Sequence, residues 1–371
     1  MEFTVAKADL VRELSLSQGV VEKKTTIPIL SNVLLEATGE QLVLTATDLE
    51  LGIRCSCPAQ IKKEGSGTLP AKKLLDYVRL LPDAAVSMKF LDNHWVSLTC
   101  NRSRTRMAGM SRESFPALPS MPELISEIPV KILTSMISRT GFAITVEESR
   151  FTLNGALLLI RPNGFVMVAT DGHRLSYAEE PFELSSLAKV YRALVPKKAM
   201  AEIMKLAQET DSEAMVQFSA DDNHLFFQFG QRLLITRRLT GNFPDFERVL
   251  PKEHSHEVTV NREELRGSIE RVAQFADERS RAIRVQFVEN ELKLFSSSAD
   301  TGESEEAIPI TYEGPDTSVC FNAQYLLDFL RVVSEESVVV EFKDSKNAGE
   351  FHPGGESRKL GYRYVVMPMR I

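Results

Sequence analysis

The sequence predicts an α+β fold of three tandem domains, each made of two strand-helix-strands units. Three observations predict it. A strand-to-helix segment recurs at intervals of about 125 residues. A set of alternating strands recurs beside it, and proline-bearing connectors separate the copies.

The first signal is Leu69-Pro70-Ala71-Lys72-Lys73-Leu74-Leu75, echoed by Val195-Pro196-Lys197-Lys198-Ala199-Met200 and more faintly by Cys320-Phe321-Asn322-Ala323-Gln324-Tyr325-Leu326-Leu327. Each copy reads as a short strand entering a helix, with Pro70 and Pro196 near the first turn, where a missing N–H costs no helical bond. Leu74, Leu75 and Val78 then keep helical spacing, as do Met200, Ile203, Met204 and Ala207. Phe3-Thr4-Val5, Ile128-Pro129-Val130 and Val258-Thr259-Val260 each open a second strand that leads into an amphipathic helix.

Alternating strands follow. Gln41-Leu42-Val43-Leu44-Thr45-Ala46-Thr47-Asp48 matches Gly164-Phe165-Val166-Met167-Val168-Ala169-Thr170-Asp171, and Glu291-Leu292-Lys293-Leu294-Phe295-Ser296 takes the corresponding place in the third copy. Ser114-Phe115-Pro116-Ala117-Leu118-Pro119 closes the first copy, and Asn242-Phe243-Pro244 through Leu250-Pro251 closes the second. These connectors place the domains at residues 1–122, 123–252 and 253–371. Six units result, whose helices can collect on one side of antiparallel sheets.

Composition agrees with a globular chain: 43% of the 371 residues are hydrophobic and 26% charged. No stretch reaches the roughly 18 apolar residues of a membrane span, and the N-terminus lacks an apolar run, which predicts a cytoplasmic protein. Of the four cysteines only Cys55 and Cys57 are close, without histidines at ligand spacing, so no metal or other cofactor is expected. The formal net charge of −7 excludes nucleic-acid binding through bulk positive charge, so any contact with DNA has to be local.

Three such repeats, ending in Tyr364-Val365-Val366-Met367-Pro368-Met369-Arg370-Ile371, resemble the bacterial DNA sliding clamp family, the beta subunit of DNA polymerase III, over essentially the whole chain. Ala169-Thr170-Asp171-Gly172-His173-Arg174-Leu175 and Phe243-Pro244-Asp245-Phe246-Glu247-Arg248-Val249-Leu250-Pro251 sharpen the match. The resemblance implies three clamp-type domains per chain and a head-to-tail homodimer closed into a ring, with helices inside and sheets outside. It also implies a processivity factor that encircles duplex DNA without sequence specificity. Its partners would be the polymerase III alpha subunit, the clamp loader and other proteins bearing a clamp-binding motif.

All six predicted helices carry cations: Lys7 and Arg12; Lys72, Lys73 and Arg79; Lys131 and Arg139; Lys197, Lys198 and Lys205; Arg262, Arg266 and Arg271; and Arg331. Charges on a helix usually mark a solvated face, but their recurrence on all six favours a shared inward face. Phosphate contacts carry no sequence information, which suits a ring that must slide. By resemblance, Lys24, Lys72, Arg102, Lys197 and Lys198 face the DNA, along with Phe151 and Thr152, where several members carry two tyrosines instead.

The resemblance further assigns a partner-peptide pocket to Leu153, Thr170, Gly172, His173, Arg174, Leu175, Pro244, Arg248, Val249, Asn322, Tyr325, Val365, Met367, Pro368, Met369 and Arg370. Methionines there can repack around different peptides. Met107 and Phe275 are the candidate apolar contacts of the dimer.

An enzyme would need a positioned nucleophile, a metal cluster or a phosphate loop. No Gly-x-x-x-x-Gly-Lys-Ser/Thr, His-Glu-x-x-His or Gly-x-Ser-x-Gly occurs. His173 beside Asp171 and Ser176 reads as a packing or hydrogen-bonding residue of a turn rather than a catalytic one. The remaining alternative is a scaffold that binds peptides but no DNA.

Overall fold

The computed structural model describes residues 1–21, 26–147, 149–184, 189–355 and 361–370. Among them are six α-helices: α1 (Lys7–Gln18), α2 (Ala71–Leu80), α3 (Val130–Thr140), α4 (Lys197–Gln208), α5 (Arg262–Val272) and α6 (Ala323–Val332). Each follows a short strand, as the repeats predict. Pro70 and Pro196 end the strands Gly65–Pro70 and Tyr191–Pro196, one residue before α2 and α4 begin. In the third repeat asparagine does the starting: Asn261 and Asn322 accept the backbone N–H of Glu264 and Gln324 at 3.0 and 2.9 Å.

The chain forms two compact units, Met1–Thr134 with Lys198–Arg238, and Ser135–Lys197 with Leu239–Ile371. These follow sheet continuity, whereas boundaries near 122 and 252 follow the sequence repeat, so the second repeat contributes to both units.

The first unit holds a twelve-stranded antiparallel sheet. Strand Leu51–Lys63 is its hub. Residues 51–54 pair with Arg232–Arg237 of the second repeat, and residues 59–63 pair with Glu2–Val5. A thirteen-residue strand can serve both because its partners occupy different stretches of it. Glu13 on α1, fully buried, takes Arg232 Nη2 and Nε at 2.7 and 2.9 Å and Arg12 Nε at 2.8 Å. Burial opposes its charge, but the two guanidiniums hold its carboxyl below the usual range.

The second unit holds an eight-stranded sheet in which Arg174–Pro181 of the second repeat pairs with Tyr362–Val366 of the third, register Leu175↔Val365. A four-stranded sheet lies beside it, with Gly302–Pro309 at one edge and Thr317–Asn322 at the other. Helices α5 and α6 bury Leu265, Ile269, Leu326 and Leu330, and Phe329 stacks on Tyr364 at 5.2 Å. No helix among the described residues is long and apolar enough to cross a membrane.

Candidate partner groove

The groove begins with a turn that the residues Thr170 to Arg174 specify locally. Thr170 Oγ1 donates to the Arg174 carbonyl at 2.6 Å and accepts the Gly172 N–H at 3.1 Å. Asp171 Oδ1 accepts the N–H groups of His173 and Arg174 at 2.9 and 3.1 Å, an Asx-type turn. Gly172 has φ of +90°, a conformation glycine adopts without steric cost.

Arg174 holds this turn to the third repeat. Its side chain, 9% exposed, donates to Asp171 Oδ2 at 3.0 Å, Asp328 Oδ2 at 2.7 Å and the Phe142 carbonyl at 2.7 Å. Its Cζ lies 4.4 Å from the Tyr325 ring centroid and 5.5 Å from that of Phe142. The Tyr364 hydroxyl, 3.4 Å from Nη1, donates to the Tyr325 carbonyl at 2.9 Å. Burial raises the pKa of both tyrosines, and Asp171 adds to the effect at Tyr325. Its guanidinium thus ties the turn to Asp328 and to the Phe142 carbonyl.

The C-terminal segment is held by two backbone bonds, Met367 N–H to the His173 carbonyl at 2.9 Å and Met369 N–H to the Cys320 carbonyl at 2.8 Å. Below it lies one apolar cluster. Leu175 and Val365 are buried in it with Leu157, Val166, Val168, Tyr177, Phe243 and Phe246, and Leu153, Leu239, Val249, Leu250 and Ala348 pack against it half-buried. Tyr177 and Phe246 rings approach to 5.9 Å. Four expected pocket residues, Leu153, Leu175, Val249 and Val365, therefore meet in one place. Sequence reasoning missed Phe243, Phe246 and Tyr177 as its floor, although Phe243 and Phe246 lie within the Phe-Pro-Asp-Phe segment that marked it.

The other expected pocket residues divide by exposure. Gly172, His173, Pro244, Arg248, Met367 and Arg370 are exposed, Tyr325, Pro368 and Met369 half-buried, and Thr170 buried. Arg248 pairs with Asp245 at 2.8 Å. Asn322 is committed elsewhere: its side chain caps α6, and its Nδ2 donates to the Ser280 carbonyl at 3.3 Å. Asp171, His173 and Ser176 are not arranged as a catalytic triad. Asp171 meets the backbone of His173, and Ser176 Oγ donates to the Arg139 carbonyl at 2.6 Å.

The expected DNA-facing residues differ in their surroundings. Lys24 lies outside the described residues. Lys72 is exposed and pairs with Asp76 at 2.5 Å. Arg102 is exposed in the turn before strand Ser103–Ala108. Lys197 and Lys198 are both exposed, and Lys198 pairs with Asp48, whose side chain is 3% exposed. A nearly buried carboxylate therefore faces Lys198, so reversing that charge bears on stability as well as on the surface. Phe151 is 72% exposed on a short 3-10 turn, with Thr152 half-buried beside it.

Several of the helix cations have a carboxylate partner. Arg12 pairs with Asp9 and Glu13, Lys131 with Glu213, Arg139 with Glu180, Lys205 with Glu202, Arg271 with Glu306 and Arg331 with Asp328. Met107 is 6% exposed within its own chain, leaving little side chain for a partner, and Phe275 is half-buried near Gly302.

Repeated strand-helix-strands units, with an apolar cluster next to the C-terminal methionines, define a tandem-repeat α+β class of protein. Family models describing the N-terminal, central and C-terminal domains of the DNA polymerase III beta subunit match residues 1–119, 127–245 and 247–370. A beta sliding clamp of Pseudomonas putida is 35% identical over 374 residues, covering 100% of both chains, and one of Chlamydia muridarum is 32% identical, covering 100% of this chain and 99% of its own. Among solved structures, the Pseudomonas aeruginosa sliding clamp superposes with a TM-score of 0.92 at 33% identity, and the same organism's clamp bound to griselimycin with 0.94 at 32%, each covering 100% of both chains. The chain belongs to the DNA polymerase III beta subunit family, and its function is that of a sliding clamp, the processivity factor of DNA replication.

Proposed function

We propose that two copies close head to tail into a ring around duplex DNA, with domains at residues 1–122, 123–252 and 253–371. In this reading the groove tethers an extended peptide of the polymerase III alpha subunit, the clamp loader and other motif-bearing proteins. The single observation that supports the groove is the apolar cluster of Leu153, Leu175, Val249 and Val365, bordered by Met367 and Met369. An extended chain needs such a floor for its anchors, and main-chain groups at the rim for its backbone. Griselimycin occupies a related clamp, which supports a peptide-binding role.

Ring closure is supported by two edge strands of opposite charge. Ser103–Ala108, at one edge of the twelve-stranded sheet, exposes Arg104 and Arg106 at alternate positions. Gly302–Pro309, at the edge of the four-stranded sheet, exposes Glu303 and Glu305. Joining the two covers both edges, and the charges select the partner. Met107 and Phe275 fall on or beside these edges.

Lys72, Arg102, Lys197 and Lys198, with Phe151 and Thr152, then offer weak, salt-sensitive contacts, while the closed ring supplies retention. The chain acts as an accessory subunit without chemistry of its own, and another protein supplies ATP-driven loading. The test is retention on nicked circular DNA. Clamp loaded on the circle should stay bound and run off once the circle is cut; a peptide scaffold would bind both forms alike.

A further inference from the structure

The plan of the candidate groove is built a second time within the first compact unit. Strand Leu51–Lys63 takes the place of Arg174–Pro181, and Arg232–Arg237 that of Tyr362–Val366. Gly52 lies opposite Ile235 as Leu175 lies opposite Val365. The Arg237 N–H meets the Glu50 carbonyl at 2.7 Å, as the Met367 N–H meets that of His173 at 2.9 Å. The connectors agree as well: Leu118 and Met121 stand three and six residues after Phe115, as Phe246 and Val249 stand after Phe243. Leu118 and Met121 pack half-buried on a buried cluster of Phe226, Leu233 and Ile235.

The two sites differ in charge. Residues opposite one another in paired strands share a face, so Thr45, Arg54 and Leu233 form one row beside this cluster, where Val168 and Tyr177 stand in the other site. Arg54 is exposed, as is Arg237, which replaces Met367 at the rim, and neither guanidinium has a carboxylate partner among the described residues. Thr45 is 3% exposed, and its Oγ1 has no hydrogen-bond partner there, although a buried hydroxyl ordinarily has one. Against the two arginines stand Asp48 and Glu36, already paired with Lys198 and Arg112, and the exposed Glu50, so the surplus is positive.

We propose that this face docks a second extended peptide, a segment of a partner protein that carries a carboxylate between apolar residues. The carboxylate pairs with Arg54, whose fork of donors suits it, and the neighbouring apolar side chain rests on Leu118 and Met121. A nucleic-acid phosphate would be drawn to the same arginines, but it makes no use of the apolar bed beside them, which favours a peptide. Two sites of different chemistry on one chain hold two segments at once, and a partner bearing both gains avidity without new contacts.

The test uses the full chain and a labelled peptide alternating leucine with glutamate, followed by fluorescence anisotropy. Wild type should bind it about tenfold more tightly than a counterpart with glutamine in place of glutamate. Arg54→Gln should abolish that preference. Arg54→Glu should bind the glutamate peptide at least about tenfold more weakly than wild type and bind a lysine counterpart more tightly, at unchanged melting temperature because Arg54 is exposed. Met367→Ala should bind the glutamate peptide as wild type does, which separates this site from the groove beside the C-terminus. Equal affinity of wild type, Arg54→Gln and Arg54→Glu for the glutamate peptide overturns the proposal, as does binding lost in Met367→Ala and kept in Arg54→Gln. So does a short DNA duplex that wild type binds and Arg54→Gln does not, because the arginine would then serve phosphate.

Discussion

At Thr47 to Leu51, Thr47 Oγ1 donates to the Leu51 carbonyl at 2.9 Å and accepts the Leu49 N–H at 3.0 Å, and Asp48 Oδ1 accepts the N–H groups of Glu50 and Leu51 at 3.0 and 2.7 Å. The turn at Thr170 to Arg174 repeats that scheme bond for bond. The two differ in their side chains and in one ion pair. Leu49, at φ of +78°, stands where Gly172 stands at +90°. Leu51 stands where Arg174 stands. The second oxygen of Asp48 takes Lys198 of the next repeat, whereas that of Asp171 takes Arg174 within its own turn. One backbone device thus serves two purposes: in the first repeat it receives a cation from a neighbouring repeat, and in the second it carries an arginine that ties the turn to the third repeat.

The largest expected effect comes from making the second turn like the first. Arg174→Leu copies Leu51 but strands Asp171 and Asp328, and should cost about 3–5 kcal/mol in denaturant melts. A loss under about 1 kcal/mol would mean that the turn's backbone bonds suffice without the guanidinium. Gly172→Leu copies Leu49 and should cost about 1–2 kcal/mol through its left-handed backbone. The reverse change, Leu49→Gly, should be neutral or stabilise by up to about 1 kcal/mol; clear destabilisation would show that the Leu49 side chain matters more than its φ.

Smaller effects separate stability from function. Lys198→Glu faces Asp48 with a like charge and should cost about 1 kcal/mol, reduced by the lysine's exposure, whereas Lys197→Glu should stay within about 0.5 kcal/mol. Both should shorten retention on nicked circles, and equal melting temperatures for the two variants would break the contrast between them. Met367→Ala should leave stability within about 0.5 kcal/mol while weakening binding of a polymerase-derived peptide by about tenfold or more in a fluorescence titration. Undiminished affinity would remove the C-terminal segment from the groove.

The turns show why some of the molecule was legible in the sequence. Thr-Asp at 47–48 and at 170–171, closing matched strands, marks a local structure held by neighbours in the chain, and the match could be read directly. The same holds for the strand-to-helix segments, whose apolar spacing and proline starts set α2 and α4. Leu153, Leu175, Val249 and Val365 were also legible, through segments that resemble a known family. Phe142, Asp328 and Tyr364, which hold Arg174, were not, because nothing near them in sequence announces a shared partner.

By itself, then, the sequence determined the threefold repeat, the helices and the two turns, since periodicity, capping and short-range hydrogen bonds act over a few residues. Only the tertiary structure decided which charges remain available. Lys197 and Lys198 are adjacent, alike in sequence and both exposed, yet it is Lys198 that reaches the nearly buried Asp48. His254, Glu341 and Glu350 form a cluster only once the strands pair. The physical reason is that an ion's partner and its solvation depend on groups brought close by long-range strand pairing, and local sequence spacing carries no record of that distance.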